Sequence, residues 1–364
     1  MPAFIHSIAT IVPPFVTSQQ QIADFMVAHL NLNEERQHKL KVLYRASGIQ
    51  QRYSVLEDFS QNLHSRNFFR EKAFPSAKPR MELYQKHAIG LAMEAAGEAL
   101  HIGDTLSGEI THLITVSCTG MYAPGLDIEL VQRLGLPTET KRTSINFMGC
   151  YASFNALKVA ANTVEADADA KVLIVCVELC SIHLQDKTDD DSLLSNAIFG
   201  DGAAALILKG IRKDICLELR KFHSDLALQW KHEMGWFIGD YGFEMKLSTK
   251  VPAVIEDGIE KLTGRLLENT NLGLEAIDYF AIHPGGKRIL EVIEKQLGIS
   301  KNQNMQAHEV LRQYGNMSSP TVLFVLKKIF DQLGASDHNK YILSFAFGPG
   351  LTLESALLKI HTHA

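Results

Sequence analysis

Residues 144–179 read SINFMGCYASFNALKVAANTVEADADAKVLIVCVEL, and the spacing of the apolar residues along them changes twice. Ser144 to Met148 predicts a short strand, after which Gly149 permits a sharp turn. The apolar residues between Leu157 and Val164 then share one face of a helix. Lys171 to Leu179 is an almost continuous apolar run, which is typical of a strand that is buried on both faces. These residues therefore predict a βαβ unit with parallel strands.

A similar order of elements occurs in both halves of the chain, although no repeat is visible residue by residue. No long linker rich in proline or serine separates the halves, so we expect an α/β domain of two similar parts, residues 1–210 and 211–364. Around the βαβ unit, the pattern predicts a helix over Tyr84–Leu100 and strands over Thr111–Val116 and Ala203–Leu208. In the second half it predicts helices over Val251–Leu267 and Asn316–Phe330, and strands over Ile277–Ile282 and Tyr341–Phe347.

The composition excludes several classes of protein. The chain has 364 residues, of which 46% are hydrophobic and 21% charged, and its net charge is only -5. These values exclude a disordered chain, and no basic cluster indicates binding to nucleic acid or to a membrane surface. No apolar run is long enough to cross a bilayer, and we interpret Pro2 to Val16 as a strand and turn rather than a leader. We expect a soluble, cytoplasmic protein with a small-molecule substrate.

The cysteine pattern indicates free thiols rather than a disulfide framework or a metal site. An odd number of cysteines without a secretion signal is typical of a reducing compartment, and no CxxC pair indicates zinc. Most cysteines of this kind are small buried hydrophobes. The five are Cys118, Cys150, Cys176, Cys180 and Cys216.

One glycine-rich segment could be mistaken for a nucleotide site. Gly200-Asp-Gly-Ala-Ala-Ala is similar to a dinucleotide-binding fingerprint, but that motif must follow a strand and open a helix. Here the apolar run that follows predicts a strand, so we expect a tight turn and no nicotinamide or flavin cofactor.

Three residues stand out as candidates for chemistry. Cys150 lies where a predicted strand ends and a helix begins, and the unpaired amides and dipole of the helix start favour a thiolate. His283 follows a predicted strand and precedes Pro284-Gly-Gly, although a histidine in a turn has the same pattern. Asn316 could equally cap a helix. Spacing alone does not bring the three together.

Five motifs together resemble the type III polyketide synthases in their order and spacing, from about Pro13 to Lys359. Such a set is far more specific than any single motif. Ser117-Cys-Thr-Gly and Val177-Glu-Leu-Cys resemble bacterial members more than plant chalcone synthases. The five motifs are Phe147-Met-Gly-Cys-Tyr-Ala, Phe199-Gly-Asp-Gly-Ala-Ala-Ala, Ile282-His-Pro-Gly-Gly, Tyr314-Gly-Asn-Met-Ser-Ser and Phe347-Gly-Pro-Gly-Leu-Thr.

The resemblance implies a thiolase-like αβαβα sandwich of two related halves that works as a homodimer. It assigns the nucleophile to Cys150 and the two catalytic partners to His283 and Asn316. The substrates would be a starter acyl-CoA and malonyl-CoA, joined by decarboxylative condensation without a metal or other cofactor. The product would be a pyrone, a resorcinol or a related polyketide.

The resemblance also implies a set of residues around the substrate cavity. Phe199 matches one of two phenylalanines at the cavity mouth, whereas the second falls on Met245, a departure that could widen the entrance. Cys118 and His183 fall where chalcone synthase has threonines. The remaining lining positions are Ser318 on the wall and Gly348 on the floor.

The resemblance is weakest for coenzyme A binding. Of three basic residues that contact the phosphates in chalcone synthase, only Lys39 is kept, and Val42 and Ala46 replace the others. Arg45 could substitute for one of them, although a charged run is usually a solvated helix face. Ala123 stands where the plant enzyme inserts a methionine into the neighbouring subunit.

Two other functions remain open at this level. The first is an enzyme similar to ketoacyl synthase III, which condenses once and releases a linear product with the same three catalytic residues. The second is an inactive thiolase-fold subunit, which the intact Cys150, His283 and Asn316 argue against.

Overall fold

The computed structural model describes residues 1–30, 32–60, 67–69 and 74–362, and strands and α-helices within these ranges are numbered in chain order. The strands are β1 (Ala3–Ile11), β2 (Phe15–Ser18), β3 (Gln51–Ser54), β4 (His112–Ser117), β5 (Lys141–Asn146), β6 (Lys171–Leu179), β7 (Asp201–Lys209), β8 (Cys216–Leu226), β9 (Met234–Gly239), β10 (Gly242–Leu247), β11 (Tyr279–Ile282), β12 (Tyr341–Gly348) and β13 (Thr352–His361). The helices are α1 (Gln19–His29), α2 (Glu34–Ala46), α3 (Ala77–Ile102), α4 (Leu126–Leu134), α5 (Ala152–Ala166), α6 (Asp190–Ile198), α7 (Val251–Leu267), α8 (Lys287–Leu297), α9 (Met305–Tyr314) and α10 (Thr321–Phe330).

In the part of the chain that the structure describes, a nine-stranded sheet has the order β11-β12-β13-β8-β1-β7-β6-β4-β5. β1 joins the two halves, because it pairs along most of its length with β7 and, over its first residues, with β8. Two small antiparallel pairs, β10-β9 and β2-β3, lie outside this sheet.

The predicted βαβ unit is confirmed as β5, α5 and β6. β4 lies between the two strands and is parallel to both, so the helical crossover passes over one strand. β5 ends at Asn146, two residues earlier than predicted, because Phe147 has a φ of 59° and Gly149 a φ of 79°. A side chain at Gly149 would also lie 2.4 Å from Cδ of Pro349, so the turn there requires glycine.

Helices from both halves form a layer between the two parts of the sheet. α5 packs on β4, β5 and β6 of the first half and also contacts β13, while α10 packs on β11 and contacts β1 and β7. The outer faces are covered by α3, on β1, β6 and β7, and by α7, on β8 and β13. The five-layer αβαβα arrangement expected above is therefore confirmed.

Two further predictions have different outcomes. Val251–Leu267 is a helix with the predicted bounds, whereas the helix predicted from Asn316 begins only at Thr321, with Pro320 as its N-cap residue. Asn316 therefore does not cap it. The chain cannot be helical before that point because Gly315 and Ser318 have positive φ values of 68° and 59°.

Two other features bear on the sequence interpretation. Asp201–Lys209 is a strand, so the glycines before it do not open a helix as a dinucleotide-binding motif requires. Among the described helices, none combines the length and the hydropathy needed to cross a bilayer.

Candidate active site

Cys150 lies in a short 3-10 turn, Gly149–Tyr151, that leads directly into α5. Only 4% of its surface is exposed. Gly348, at the end of β12, packs beneath it: a Cβ at Gly348 would lie 2.5 Å from Cδ1 of Tyr151 and 3.4 Å from the amide nitrogen of Cys150. Gly348 thus packs against the predicted nucleophile, and it lines neither of the two cavities described below.

The segments that carry Cys150, His283 and Asn316 converge. Both side-chain atoms of the Asn316 amide, Oδ1 and Nδ2, lie 3.9 Å from Sγ of Cys150. Nδ2 also lies 3.5 Å from the carbonyl oxygen of Gly285, and a Cβ at Gly285 would lie 3.5 Å from Nε2 of His283. Cys150 and Asn316, 166 residues apart, thereby meet, and the segment of His283 lies beside them through Gly285.

The ring of His283 is buried and has no hydrogen-bond partner among the residues that the structure describes. Its main-chain N–H donates to the carbonyl of Phe345, which fixes the residue at the end of β11, and the side chain is 1% exposed. Neither ring nitrogen has a hydrogen bond to any residue that the structure describes. Burial lowers the pKa of His283 to about 3, so the ring is neutral at pH 7. Unpaired buried polar atoms are rare, and such a ring is available to a substrate.

The thiol of Cys150 does not ionise readily in this structure. Burial raises its pKa to about 11, and hydrogen bonds from Ser318 and Asn316 lower it only in part. The expectation of a thiolate favoured by the helix start is therefore wrong, because burial raises the pKa of the thiol by more than its hydrogen bonds lower it. A thiol with this pKa would act as a nucleophile only if it lost its proton during the reaction.

The side-chain amide of Asn316 has a defined orientation. Its Oδ1 accepts a hydrogen bond from the main-chain N–H of Ser318 at 2.8 Å. Nδ2 is thereby the end that lies toward Gly285, with its hydrogens available as donors. Ser318 has a φ of 59°, which brings its N–H back onto Asn316, and its hydroxyl lies 3.3 Å from Sγ of Cys118.

Two adjoining cavities lie beside these residues. The inner cavity borders the turn that carries Cys150, and the outer cavity extends from it toward α1, β3 and α6. Four residues line both: Cys180, Phe199, Trp236 and Met245. The inner cavity is completed by Cys118, Thr119, Gly149 and Ser318. Phe199 and Met245 therefore lie at the junction of the two cavities, and Cys118 and Ser318 line the inner one.

His183 lines the outer cavity and connects the β9-β10 hairpin to Thr119 by hydrogen bonds. Its ring lies between the carbonyl of Thr119, 2.7 Å from Nε2, and the main-chain N–H of Phe243, which donates to Nδ1 at 2.9 Å. These partners assign the proton to Nε2, and the ring stacks on Phe243 at a centroid distance of 4.4 Å. On the same hairpin, Nε1 of Trp236 donates to the carbonyl of Cys118 at 2.6 Å.

The neutral His183 makes the stability of the protein depend on pH. Burial lowers its pKa to about 3 from 6.5, so its contribution is complete above pH 6.5 and is lost as the pH falls toward 3. We expect the unfolding free energy to fall more steeply with acidification in the wild type than in His183→Gln. The difference should approach about 1.4 kcal/mol per pH unit, measured by urea denaturation between about pH 7 and pH 5. The same change at the exposed His38 is the control, and parallel curves for wild type and His183→Gln would contradict the assignment.

A buried carboxylate accepts hydrogen bonds from two residues that line the inner cavity, Cys118 and Thr119. Glu178 is fully buried in β6 and accepts hydrogen bonds from the hydroxyls of Ser319, at 2.5 Å, and Thr119, at 2.7 Å. The amide and thiol of Cys118 also donate to it, at 3.0 Å and 3.3 Å. Burial raises the pKa of Glu178, and these donors act against that shift. Cys118 is thus held by its neighbours rather than free to react.

The two basic residues predicted to contact coenzyme A lie apart from both cavities. Lys39 and Arg45 are exposed on α2, where Lys39 pairs with Glu35 at 2.6 Å and Nε of Arg45 donates to the carbonyl of Lys41. Neither borders the inner or the outer cavity. In the described ranges, no cluster of three histidine, cysteine or acidic residues has the arrangement of a metal site.

Three residues of this region are not predicted from the sequence: Cys180 and Trp236, which line both cavities, and Glu178, which bonds Cys118. Glu178 gave a signal, because a carboxylate in an apolar strand must have buried partners. Cys180 was quoted only as part of a motif, and Trp236 gave no signal because its hairpin was not predicted.

Comparisons with known proteins agree over nearly the whole chain. Models of the N-terminal and C-terminal domains of chalcone and stilbene synthases match residues 1–210 and 229–362. The chain is 33% identical over 363 residues to the alpha-pyrone synthesis polyketide synthase-like Pks18 of Mycobacterium tuberculosis, which covers 98% of this chain and 91% of Pks18. The crystal structure of the C-terminal type III polyketide synthase domain of Steely1, a type I/III hybrid from Dictyostelium, matches with a TM-score of 0.91, 29% identity and 99% of both chains covered. PKS-I of the brown alga Ectocarpus siliculosus also gives a TM-score of 0.91, at 30% identity and 98% of both chains.

Proposed function

Because the chain belongs to the chalcone and stilbene synthase family of type III polyketide synthases, we propose that Cys150 accepts a starter acyl group, which malonyl-CoA then extends. Enzymes of this family are acyl-transferring condensing enzymes that use acyl-CoA substrates. The observation that carries the assignment of roles is the contact between the Cys150 thiol and the oriented Asn316 amide, beside the segment that carries the unpaired, neutral His283.

In the loading step, His283 removes the proton from Sγ of Cys150 as the thiol attacks the thioester carbonyl of the starter. The neutral imidazole that burial maintains is the form that can accept this proton. The tetrahedral intermediate collapses, the acyl–Cys150 thioester forms, and the leaving coenzyme A thiolate takes the proton back from the imidazolium. Acyl transfer thus leaves His283 neutral again.

In the extension step, the malonyl thioester oxygen accepts hydrogen bonds from Nδ2 of Asn316 and from the N–H of neutral His283. These donors stabilise the enolate that forms as carbon dioxide leaves. The enolate carbon attacks the acyl group on Cys150, a new carbon–carbon bond forms, and the thiolate of Cys150 is released. Written this way, the reaction needs neither a metal nor an organic cofactor.

We also propose that the chain consists of two similar halves and that it works as a homodimer. The division between residues 1–210 and 211–364 falls in the loop between β7 and β8. An interface along β5 is supported by the exposure of this edge strand, most of whose residues face outward, and of the neighbouring Met121 and Met148, 43% and 36% exposed. An exposed edge strand is suited to pairing with a second chain.

We propose an aliphatic starter, because most polar side chains in the wall of the outer cavity already have partners within the protein. Nη2 of Arg52 is the exception, since it is buried without a partner among the described residues. A starter that carries a phenol would find few free partners there, whereas an alkyl chain requires none. The residues whose side chains are paired in this way are Ser54, Ser181, Gln185, Ser192, Ser195 and Asn196.

Since Pks18 is named for alpha-pyrone synthesis, we propose closure of the extended chain to an α-pyrone, with a resorcinol as the alternative.

The experiment compares dodecanoyl-CoA, hexanoyl-CoA and 4-coumaroyl-CoA as starters, each with malonyl-CoA. We expect kcat/KM for the two aliphatic starters to exceed that for 4-coumaroyl-CoA by about tenfold or more. Adducts are followed by intact mass and products by chromatography with mass spectrometry. A preference for 4-coumaroyl-CoA would overturn the starter class. A linear product extended by only two carbons would indicate single condensation, and no adduct with any starter would exclude the proposed enzyme.

A further inference from the structure

The C-terminal end of α6 is held by residues from distant parts of the chain. The last carbonyls of a helix lack partners inside it, so other groups must satisfy them. Here Nε2 of Gln19 donates to Ala197, at 2.6 Å, and the hydroxyl of Tyr44 donates to Asn196, at 3.1 Å. Nη1 of Arg52 donates to the carbonyl of Phe199, the residue that directly follows α6.

The catalytic asparagine takes part in the same arrangement. The main-chain N–H of Asn316 donates to the carbonyl of Ile198 at 2.9 Å, and the carbonyl of Asn316 accepts from Gly200 at 2.9 Å. Phe199 and Asn316 thereby form an isolated parallel β-bridge. The residue at the cavity junction and the residue proposed to stabilise the enolate share one backbone connection.

Arg52 contacts the backbone on both sides of this bridge. Its side chain is buried, and its Nε donates to Oε1 of Gln19 at 3.0 Å. The aliphatic part of the side chain runs past two glycines: a Cβ at Gly315 would lie 2.9 Å from Cδ of Arg52, and one at Gly200 would lie 3.5 Å from its Cβ. Gly315 directly precedes Asn316 and Gly200 directly follows Phe199. A positive charge at the end of a helix is also favourable for the helix dipole.

We propose that Arg52 is a positioning residue for malonyl decarboxylation, because it fixes the Phe199–Asn316 bridge and hence the place of the Asn316 amide. The inference rests on the function proposed above. Arg52 acts through the backbone of Phe199, whose carbonyl accepts from its Nη1, and the side chain of Gln19 accepts from its Nε.

The two half-reactions should respond differently to the loss of this guanidinium. Cys150 is held by the start of α5, and His283 by its bond to Phe345 in β12, so neither depends directly on Arg52. Asn316 does depend on it through the bridge. A displacement of about 1 Å at a catalytic group lowers a rate by up to about a hundredfold. Decarboxylation should therefore fall while acyl loading is kept.

The test compares Arg52→Gln with wild type in two assays. Because Arg52 also lines the outer cavity, loading is measured at saturating dodecanoyl-CoA, as the rate of adduct formation by intact mass. Decarboxylation is measured as acetyl-CoA released from malonyl-CoA alone. We expect decarboxylation to fall about tenfold or more and loading to change by less than about twofold. Arg36→Gln is the matched control, because Arg36 is exposed on α2 and, among the described residues, its guanidinium donates to the hydroxyl of Thr188 alone.

A second variant keeps the test decisive if Arg52→Gln does not fold. Arg52→Lys retains the charge and can reach one of the two acceptors, so decarboxylation should fall by an intermediate factor with loading unchanged. Equal losses in both assays, or decarboxylation within about twofold of wild type, would overturn the positioning role. If the proposed function itself is wrong, the wild-type protein will neither form the adduct nor release acetyl-CoA.

Discussion

Cys150→Ala should form no acyl adduct, and its polyketide production should fall by about a thousandfold or more, because the nucleophile of the first step is absent. Malonyl-CoA decarboxylation should persist, since the donors proposed for the enolate belong to His283 and Asn316. The variant thus separates loading from enolate formation. Adducts are measured by intact mass, and decarboxylation as acetyl-CoA.

The control for this variant is another buried cysteine with the same change. Cys216 lies at the start of β8, and its thiol donates to the carbonyl of Lys213. Cys216→Ala should keep both the adduct and the product. If an adduct persists in Cys150→Ala, the nucleophile lies elsewhere, and Cys118, which lines the inner cavity, is the next residue to replace.

His283→Ala should lose both half-reactions, which distinguishes it from Cys150→Ala. The pKa of Cys150 is raised to about 11, so without a base very little thiolate is present at pH 7. Loss of a general base or a positioned donor costs about a hundredfold to ten-thousandfold in rate. We expect losses in this range for both adduct formation and acetyl-CoA release.

His101→Ala is the matched control for that experiment, because His101 is exposed near the end of α3, outside both cavities. It should match wild type in both assays. A His283→Ala protein that still loads at the wild-type rate would show that Cys150 is deprotonated by another group. Retained decarboxylation with lost loading would limit His283 to the first step.

The sequence predicts secondary structure well where that structure depends only on neighbouring residues. The strand, turn and helix around Cys150 follow from the periodicity of the apolar residues and from Gly149. Asn316 was placed in a helix because its neighbours favour one. The positive φ of Gly315 and the bridge to Phe199 exclude a helix there, and both depend on a distant segment.

The periodicity of the sequence does not show which residues come together at the site. The convergence of Cys150, His283 and Asn316 came from the order of family motifs, because each residue belongs to a different element. The raised pKa of Cys150 depends on how many layers cover it, which a local pattern of residues cannot show. Trp236 was missed for a related reason: its hairpin lies outside the large sheet and alternates only weakly between buried and exposed residues.

The order of the strands also determines when each part of the large sheet can form during translation. β1 can pair with β7 once residue 209 has left the ribosome, so the first half of the sheet can assemble early. β8 and β12, by contrast, both pair with β13, which spans Thr352–His361. Until that strand is synthesised, the edges of β8 and β12 that pair with it have no partner in the nascent chain, and the second half is exposed to aggregation for as long as translation takes.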